Sequence, residues 1–129
     1  MREIEFRGKR LDTGDWVYGF YGYKEETKEH FIITETINKH CTSYFTEYPI
    51  DPATVGQDTG LRDKNGKKIY EGDIVKYHPE ANSGTGRVVY LGSGFYVTDE
   101  FNGLLDDFAP IGIEVIGNVH DDKELLGVE

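Results

Sequence analysis

The sequence predicts a mainly β protein, and three observations lead to that prediction. Several short runs place apolar residues at every second position, the period that gives a strand one buried face. Turn-forming residues, above all glycine, proline and asparagine, separate these runs at short intervals. Nine tyrosines, seven phenylalanines and one tryptophan supply the aromatic side chains that strands favour. The 129 residues are enough for one ordinary domain or for two small ones.

The first fifty residues predict an antiparallel sheet or meander. Apolar and polar residues alternate over residues 3–7, and an aromatic-rich run follows over residues 15–23. A polar break separates this run from another at residues 30–37, so the two predict a hairpin. A weaker run at residues 42–48 completes the sheet.

Turn signals divide this sheet and end it. Gly8 and the group at residues 12–14 are predicted to turn the chain. Pro49 stops the last run, because proline has no N–H for a ladder. Asp51 is predicted to cap one helical turn that has Pro52 at its first position. The boundary between two units is therefore placed at about residue 50, giving ranges 1–50 and 51–129.

The aromatic residues of the chain divide into a predicted core and a predicted contact surface. Core filling and contact surfaces are the two main uses of such side chains in a small β fold. The residues predicted to fill the core are Trp16, Phe20, Phe31, Phe45 and Tyr70. The residues predicted to form an interaction surface, which self-association would bury, are Tyr21, Tyr23, Tyr44 and Tyr48.

The stretch at residues 55–75 has the densest turn chemistry in the chain. The pair Asn65-Gly66 predicts a two-residue type I′ hairpin turn. A short strand at 68–70, a second turn at 71–73 and a longer strand from Ile74 are predicted to follow. The positions predicted to shape this stretch are Gly60, for a tight backbone approach, Asn65 and Gly66, for the hairpin, and Gly72 and Asp73, for the entry to the next strand.

Further short runs complete the second half. Residues 82–86 are predicted to form a flexible loop, and residues 87–91 and 95–98 are predicted to form a hairpin around a turn at 92–94. A short edge strand or turn at 104–108 and a last strand at 113–119 follow. About five short strands with tight turns fit either a small barrel or a small sandwich.

A family resemblance favours the barrel. The segment TVGQDTGLRDKNGKKIYEGDIVK resembles the central signature of the YopX family, which occurs in bacteriophages and prophages. The segments EIEFRGKRLDTGDWVYG, IDPATVGQ and IEVIGNVHDDKELL stand in the order that this family shows, so the resemblance runs from Ile4 to Leu125. It implies phage ancestry and an N-terminal antiparallel β unit docked on a C-terminal SH3-like small β-barrel. It implies no known reaction and no catalytic residues.

The charge of the chain argues against general nucleic-acid binding. Twenty-four acidic residues outnumber fourteen basic ones, for a net charge of -10. Nine of the acids lie between Asp99 and Glu129, where Lys123 is the one basic residue. Such a surface repels a phosphate backbone. A local exception is the basic group Arg62, Lys64, Lys67 and Lys68, a stretch that also contains Asp63. The favoured interpretation of this group is a solvated hairpin rim.

No residue pattern predicts catalysis, a cofactor or a metal. The four histidines, His30, His40, His78 and His120, show no metal-ligand spacing. His40 and Cys41 are interpreted as a turn histidine beside a small buried cysteine. The group His120, Asp121 and Asp122 is interpreted as a solvated acidic turn, although a divalent cation is conceivable there.

These observations predict a non-enzymatic interaction module that forms a homo-oligomer and binds itself or a phage or host protein. The single cysteine, the lack of an apolar run of membrane-spanning length and the lack of a signal peptide predict the cytoplasm of a bacterial host. One alternative is direct nucleic-acid binding through the basic group and Arg87. The other is an acidic decoy that resembles nucleic acid, with carboxylates Asp99, Glu100, Asp106, Asp107, Asp121 and Asp122.

Overall fold

The computed structural model describes residues 5–77, 84–91, 94–98, 103–104 and 113–122. About two-thirds of them lie in antiparallel strands, so the mainly β prediction is confirmed. The chain divides into two compact units, Met1–Gln57 and Asp58–Glu129.

The first unit contains four strands and a short 3-10 helix. The elements are β1 (Phe6–Lys9), β2 (Trp16–Lys24), β3 (Glu29–Ile37), β4 (Ser43–Pro49) and the helix (Pro52–Thr54). The strands pair in the order β4-β3-β2-β1, and Gly56 and Gln57, which begin the next strand, pair with β1. The predicted cap is confirmed, because a side-chain oxygen of Asp51 accepts a hydrogen bond from the Ala53 N–H at 3.0 Å.

The chain beyond β4 returns to the end of β1. Leu11 N–H donates to the carbonyl of Pro49 at 3.1 Å, and Asp51 N–H donates to the carbonyl of Lys9 at 2.9 Å. These bonds flank a bridge between Arg10 and Ile50. The chain around Leu11 therefore covers the outer edge of β4 at Pro49, the last residue of the strand.

The prediction that Gly8 turns the chain is wrong, since Gly8 lies inside β1 opposite Val17. A Cβ atom at this position would stand 2.7 Å from Cδ1 of Ile50, a fully buried side chain. Glycine at position 8 therefore leaves space for the Ile50 side chain. The turn comes later in the chain, where Gly14 has a φ of +76°.

The second unit contains the remaining strands and a core of aliphatic residues. The strands are β5 (Gly56–Arg62, of which residues from Asp58 belong here), β6 (Lys68–Tyr70), β7 (Asp73–Tyr77), β8 (Gly84–Leu91), β9 (Gly94–Thr98), β10 (Gly103–Leu104) and β11 (Ile113–Asn118). Five of them form a sheet in the order β10-β9-β8-β7-β11. The buried cluster of the unit consists of Ile69 of β6 and, from this sheet, Val75, Val88, Val97 and Ile113. The SH3-like barrel stays a prediction.

Two further predictions concern this sheet. The flexible loop at residues 82–86 is wrong for Gly84, Thr85 and Gly86, which lie in β8 and pair with Tyr77, Lys76 and Val75. Residues 92–93, the first two of a predicted turn, and residues 105–108, most of a predicted edge strand or turn, lie outside the described residues.

The hairpin around Asn65-Gly66 is present, but its predicted turn type is wrong. Gly66 N–H donates to the carbonyl of Asp63 at 2.9 Å, and Asp63 N–H donates to the carbonyl of Lys67 at 2.8 Å. Gly66, with a φ of +83°, is the one residue of this turn in the left-handed region. The pattern is that of a type I turn followed by a left-handed glycine, a three-residue hairpin loop in place of the two-residue type I′ loop.

Replacing Gly66 with valine is expected to lower the free energy of unfolding by roughly 1 kcal/mol or more, because a β-branched residue is strained at positive φ. No atom lies within 4 Å of the position that a Cβ would take, so crowding adds nothing. Gly66→Asn, a residue that tolerates this conformation, is the matched control and is expected to cost less. Thermal unfolding midpoints compare the two, and an unchanged midpoint for Gly66→Val would contradict the turn.

Candidate interaction surface

The pairing register places the aromatic residues of β2 and β4, together with Ile37 of β3, on two opposite faces of the first unit. Residues paired across antiparallel strands share a face, and successive residues alternate between faces. The pairs Tyr21 with Ile32, Ile32 with Tyr48, Tyr23 with His30 and Thr36 with Tyr44 define one face. The pairs Phe20 with Ile33, Glu35 with Phe45 and Ile37 with Ser43 define the other. We call the first the tyrosine face (Tyr21, Tyr23, Tyr44, Tyr48) and the second the Phe45 face (Tyr18, Phe20, Ile37, Phe45).

The tyrosine face brings together all four tyrosines that the sequence singled out, but neighbouring side chains already contact three of them. The Tyr21 hydroxyl is hydrogen-bonded to Nδ1 of His30, and the ring of Tyr23 lies 4.8 Å from the His30 ring, between centroids. The guanidinium of Arg10 lies 4.7 Å from the centre of the half-buried Tyr48 ring. Tyr44, half exposed, stands apart near the end of the β3–β4 hairpin.

The Phe45 face exposes more apolar surface than the sequence predicted. Phe20 is 48% exposed and Phe45 is 63% exposed, so their assignment to the core is wrong. Phe31 and Tyr70 are buried, which confirms their assignment, and Trp16 is half-buried, with the Arg7 guanidinium 4.6 Å from its ring centre.

The reason for this exposure lies in the pairing of β2. Its last pair with β3 joins Phe20 and Ile33, and the rest of β2 pairs with β1. Residues 34–37 of β3 are therefore paired with β4 alone among the described residues. This half of the hairpin is a two-stranded ribbon, and Ile37 at 66% exposure and Phe45 lie on one side of it.

The single carboxylate of β4 is neutralised locally. Nζ of Lys24 lies 3.1 Å from a carboxylate oxygen of Glu47, and the same ammonium lies 4.7 Å from the centre of the Phe31 ring. The edge strand of a chain with a net charge of -10 thus presents no uncompensated charge.

The basic group lies on the hairpin at residues 62–68, and internal contacts occupy part of it. A guanidinium nitrogen of Arg62 donates to the carbonyl of Gly66 at 2.9 Å. Nζ of Lys64 lies 3.8 Å from a carboxylate oxygen of Glu114. Lys67 is exposed, and Lys68 is half-buried. This arrangement gives the basic group a structural use within the second unit.

Asp63, which the sequence showed only as a charge, organises this hairpin. One carboxylate oxygen accepts hydrogen bonds from the N–H groups of Asn65 and Lys67, each at 2.9 Å. The other accepts from Val115 N–H in β11 at 3.0 Å. Burial alone would raise the pKa of Asp63, but the N–H groups of Val115, Lys67 and Asn65, with the charge of Lys67, hold that pKa below its ordinary value. A buried carboxylate therefore joins the hairpin to β11.

The other predicted turn positions lie in or beside strands of the second unit, with Gly60 inside β5, Gly72 just before β7 and Asp73 at the first residue of β7. Asp73 is 2% exposed, and one of its carboxylate oxygens accepts from Tyr70 N–H at 2.7 Å. Gly72 has a φ of +92°, and its N–H donates to the carbonyl of Val88 at 2.8 Å. Gly60 has a φ of +84°, and its N–H donates to a carboxylate oxygen of Asp58 at 2.8 Å. At Gly60 and Gly72 the left-handed conformation supplies a reason for glycine.

The residues weighed for metal binding do not come together as a site. Cys41 is exposed, with a φ of +61°, so its assignment as a buried residue is wrong. Side-chain oxygens of Asp121 and Asp122 accept from the side-chain amide and the backbone N–H of Asn118. Within the described residues, no three His, Cys, Asp or Glu side chains are placed to hold a metal ion.

Two other expectations from the sequence concern an acidic decoy and a membrane-spanning segment. Of the carboxylates named for an acidic decoy, Asp99, Glu100, Asp106 and Asp107 lie outside them. Inside them, no helix has the length and apolar character that crossing a bilayer takes.

Comparison with known proteins agrees with this fold and identifies the family. The crystal structure of protein EF1440 from Enterococcus faecalis is similar to this chain at a TM-score of 0.64 and 24% sequence identity, over 98% of this chain and 99% of that one. No curated protein sequence matches the chain. The sequence model described as YopX protein matches residues 5–127, nearly the whole length. The chain therefore belongs to the YopX family.

Proposed function

We propose that this protein is a non-enzymatic interaction module that assembles with itself through its first unit. The observation that carries the proposal is where apolar side chains are exposed. Of the ten exposed large hydrophobic side chains in the described residues, eight lie in the first unit and two, Tyr90 and Ile116, in the second.

The ribbon formed by residues 34–37 and 43–46 supports assembly most directly. A two-stranded ribbon is marginally stable in water unless a further strand or another element covers it. Ile37 and Phe45 lie on one side of the ribbon and Tyr44 on the other, so each face exposes an apolar side chain that packing against another chain would remove from water. Contiguous exposed apolar surface of this kind marks an interaction site more often than it occurs by chance.

The biological setting forms part of the same proposal. Phage ancestry, which the YopX resemblance implies, and the single cysteine, which suits a reducing compartment, support action in the cytoplasm of a bacterial host. The partner is then a second copy of the chain or a phage or host protein. An SH3-like arrangement of the second unit belongs to the proposal too, supported by its short strands and tight turns.

Light scattering on the purified protein tests the assembly. We expect a mass that is a fixed multiple of 14.7 kDa over a range of concentrations and that persists at high salt, because burial of apolar surface is not screened. The double variant Ile37→Ser/Phe45→Ser is expected to shift this mass to that of the monomer.

Ile116→Ser is the matched control, since Ile116 is an exposed isoleucine of the second unit, and it is expected to leave the assembly intact. A wild-type monomer under all conditions would overturn the proposal. So would an assembly that high salt dissociates, which would favour the acidic decoy instead.

A further inference from the structure

The outer edge of β4 carries main-chain groups that point away from its sheet. Ile50 N–H donates to the carbonyl of His30 at 3.0 Å, so these two residues form a hydrogen-bonded pair of the β3–β4 ladder. Hydrogen-bonded and non-hydrogen-bonded pairs alternate in an antiparallel ladder, and the pairing of β3 with β4 shows no register shift. It follows that the N–H and C=O groups of Ser43, Phe45 and Glu47 point outward.

Nothing in the described residues pairs with this edge between Ser43 and Glu47. β4 is the terminal strand of its sheet, and the return of Leu11 covers the edge only at Pro49. Exposed edges of this kind are templates for strand addition, and proteins that avoid it place charged side chains, proline or a bulge there. Over these five residues β4 has no proline and no bulge, and Lys24 neutralises its one charged side chain, Glu47.

We propose that β4 pairs antiparallel with β4 of a second copy, about a two-fold axis at Phe45, which joins two sheets into one. This inference rests on the proposed function of self-assembly and specifies the interface. A two-fold axis makes such an edge its own complement, because the same strand serves on both sides.

The hydrogen-bonding groups select this register. With the axis at Phe45, Ser43 faces Glu47 of the second copy, Phe45 faces Phe45, and Glu47 faces Ser43. Each of these three pairs exchanges two hydrogen bonds, so all outward N–H groups are satisfied. With the axis at Thr46, Ser43 would face Pro49, which has no N–H and whose carbonyl already accepts from Leu11.

Side-chain chemistry agrees with a second copy as the occupant. Tyr44 would stand opposite Thr46, and the two Phe45 rings would stand opposite each other, a favourable aromatic cross-strand pair. Glu47 would face a serine rather than another carboxylate, and Lys24 already neutralises it. Hydrogen bonds alone would add little, because each replaces a bond to water, so contact between the two Phe45 side chains must supply most of the affinity.

Disulfide trapping in a Cys41→Ser background tests the register. Chains that carry Ser43→Cys are mixed with chains that carry Glu47→Cys and are oxidised with copper phenanthroline. Hydrogen-bonded partners have Cα atoms about 5.5 Å apart, within the range of a disulfide. We therefore expect a covalent dimer from the mixture and little from either variant alone. The two copies of residue 43 lie on opposite sides of the axis, each two residues from it, so they are too far apart to be bridged, and the same holds for residue 47.

Thr46→Cys is the matched control, because in this register its two copies lie about 8 Å apart, beyond the limit of about 7 Å. Efficient trapping of Thr46→Cys, or an uncrosslinked mixture of assembled chains, would overturn the β4 pairing. Light scattering on the same samples separates the two proposals, because assembly without trapping contradicts only the interface, whereas a monomer contradicts both. Capture of another protein on the edge of a monomer would also overturn the pairing.

Discussion

Replacing Asp63 with alanine is expected to lower the free energy of unfolding by about 3 kcal/mol, because the change leaves three N–H groups without their acceptor. Those donors belong to Asn65, Lys67 and Val115, and Asp63 itself is 7% exposed. The loss would reach beyond the turn, since the Val115 bond attaches the hairpin to β11 of the second unit. Urea unfolding measures the change.

Asp63→Asn is expected to cost less than Asp63→Ala at neutral pH. Its one amide oxygen can still accept from Asn65 and Lys67, but its NH₂ group would face the Val115 N–H. Asparagine also removes the titration. The pKa of Asp63 is depressed in the folded state, so the stability it contributes is complete above its unfolded pKa of about 3.9 and is lost as pH falls through the folded pKa.

The stability difference between the wild type and Asp63→Asn is therefore expected to be constant from pH 7 to about pH 5 and to shrink below about pH 4. Asp15→Asn is the matched control, since Asp15 is exposed, and it is expected to change stability by no more than about 0.5 kcal/mol. A difference between the wild type and Asp63→Asn that grows on acidification would contradict the arrangement of donors described here.

The strands that the sequence predicted are those with an alternating or β-branched pattern. Local pattern is enough for β2 and β3, which are rich in the aromatic and β-branched residues that strands favour. It fails for β5, where residues 58–60 are Asp, Thr and Gly and the pairing with β6 is irregular. Asp58 and Thr59 are buried there, and Thr59 Oγ1 donates to the carbonyl of Ile69 at 2.8 Å. A polar, bulged strand has no period to detect.

Burial was harder to predict than strand position. An aromatic residue on an apolar run is expected in the core, yet Phe20 and Phe45 are exposed because no described strand covers the end of the β3–β4 hairpin. Whether another strand covers these side chains depends on the residue at which β2 stops pairing with β3, and local sequence does not determine that residue. The tyrosine face was predicted as a set because period-two spacing places Tyr21 with Tyr23 and Tyr44 with Tyr48.

Asp63 escaped prediction for a different reason. The turn bonds to Asn65 and Lys67 are local and have a sequence signal, an aspartate before an Asn-Gly pair. The bond to Val115 joins residues 52 apart in the chain, and no local pattern announces it. The sequence could indicate a turn here but not that its first residue is a buried anchor.

Gly19→Ala is expected to destabilise the first unit by about 3 kcal/mol, because the added methyl group would overlap a main-chain atom. Its Cβ would stand 2.3 Å from the carbonyl oxygen of Ile33 and 3.4 Å from Cγ2 of Ile32, which is fully buried. A carbonyl held in a strand cannot turn aside as a side chain can, so β3 would have to move away from β2 near the Phe20–Ile33 pair.

Gly22→Ala separates this overlap from the general effect of removing a glycine from β2. Its Cβ would meet Cδ1 of Ile33 at 3.0 Å, the far end of a flexible side chain that can change rotamer. The unfolded chain loses the same backbone freedom in both variants, which by itself favours the folded state by about 0.4–1 kcal/mol. We therefore expect a near-wild-type midpoint for Gly22→Ala and a much lower one for Gly19→Ala in thermal unfolding. Equal midpoints would mean that β2 and β3 do not approach at Gly19 as closely as described.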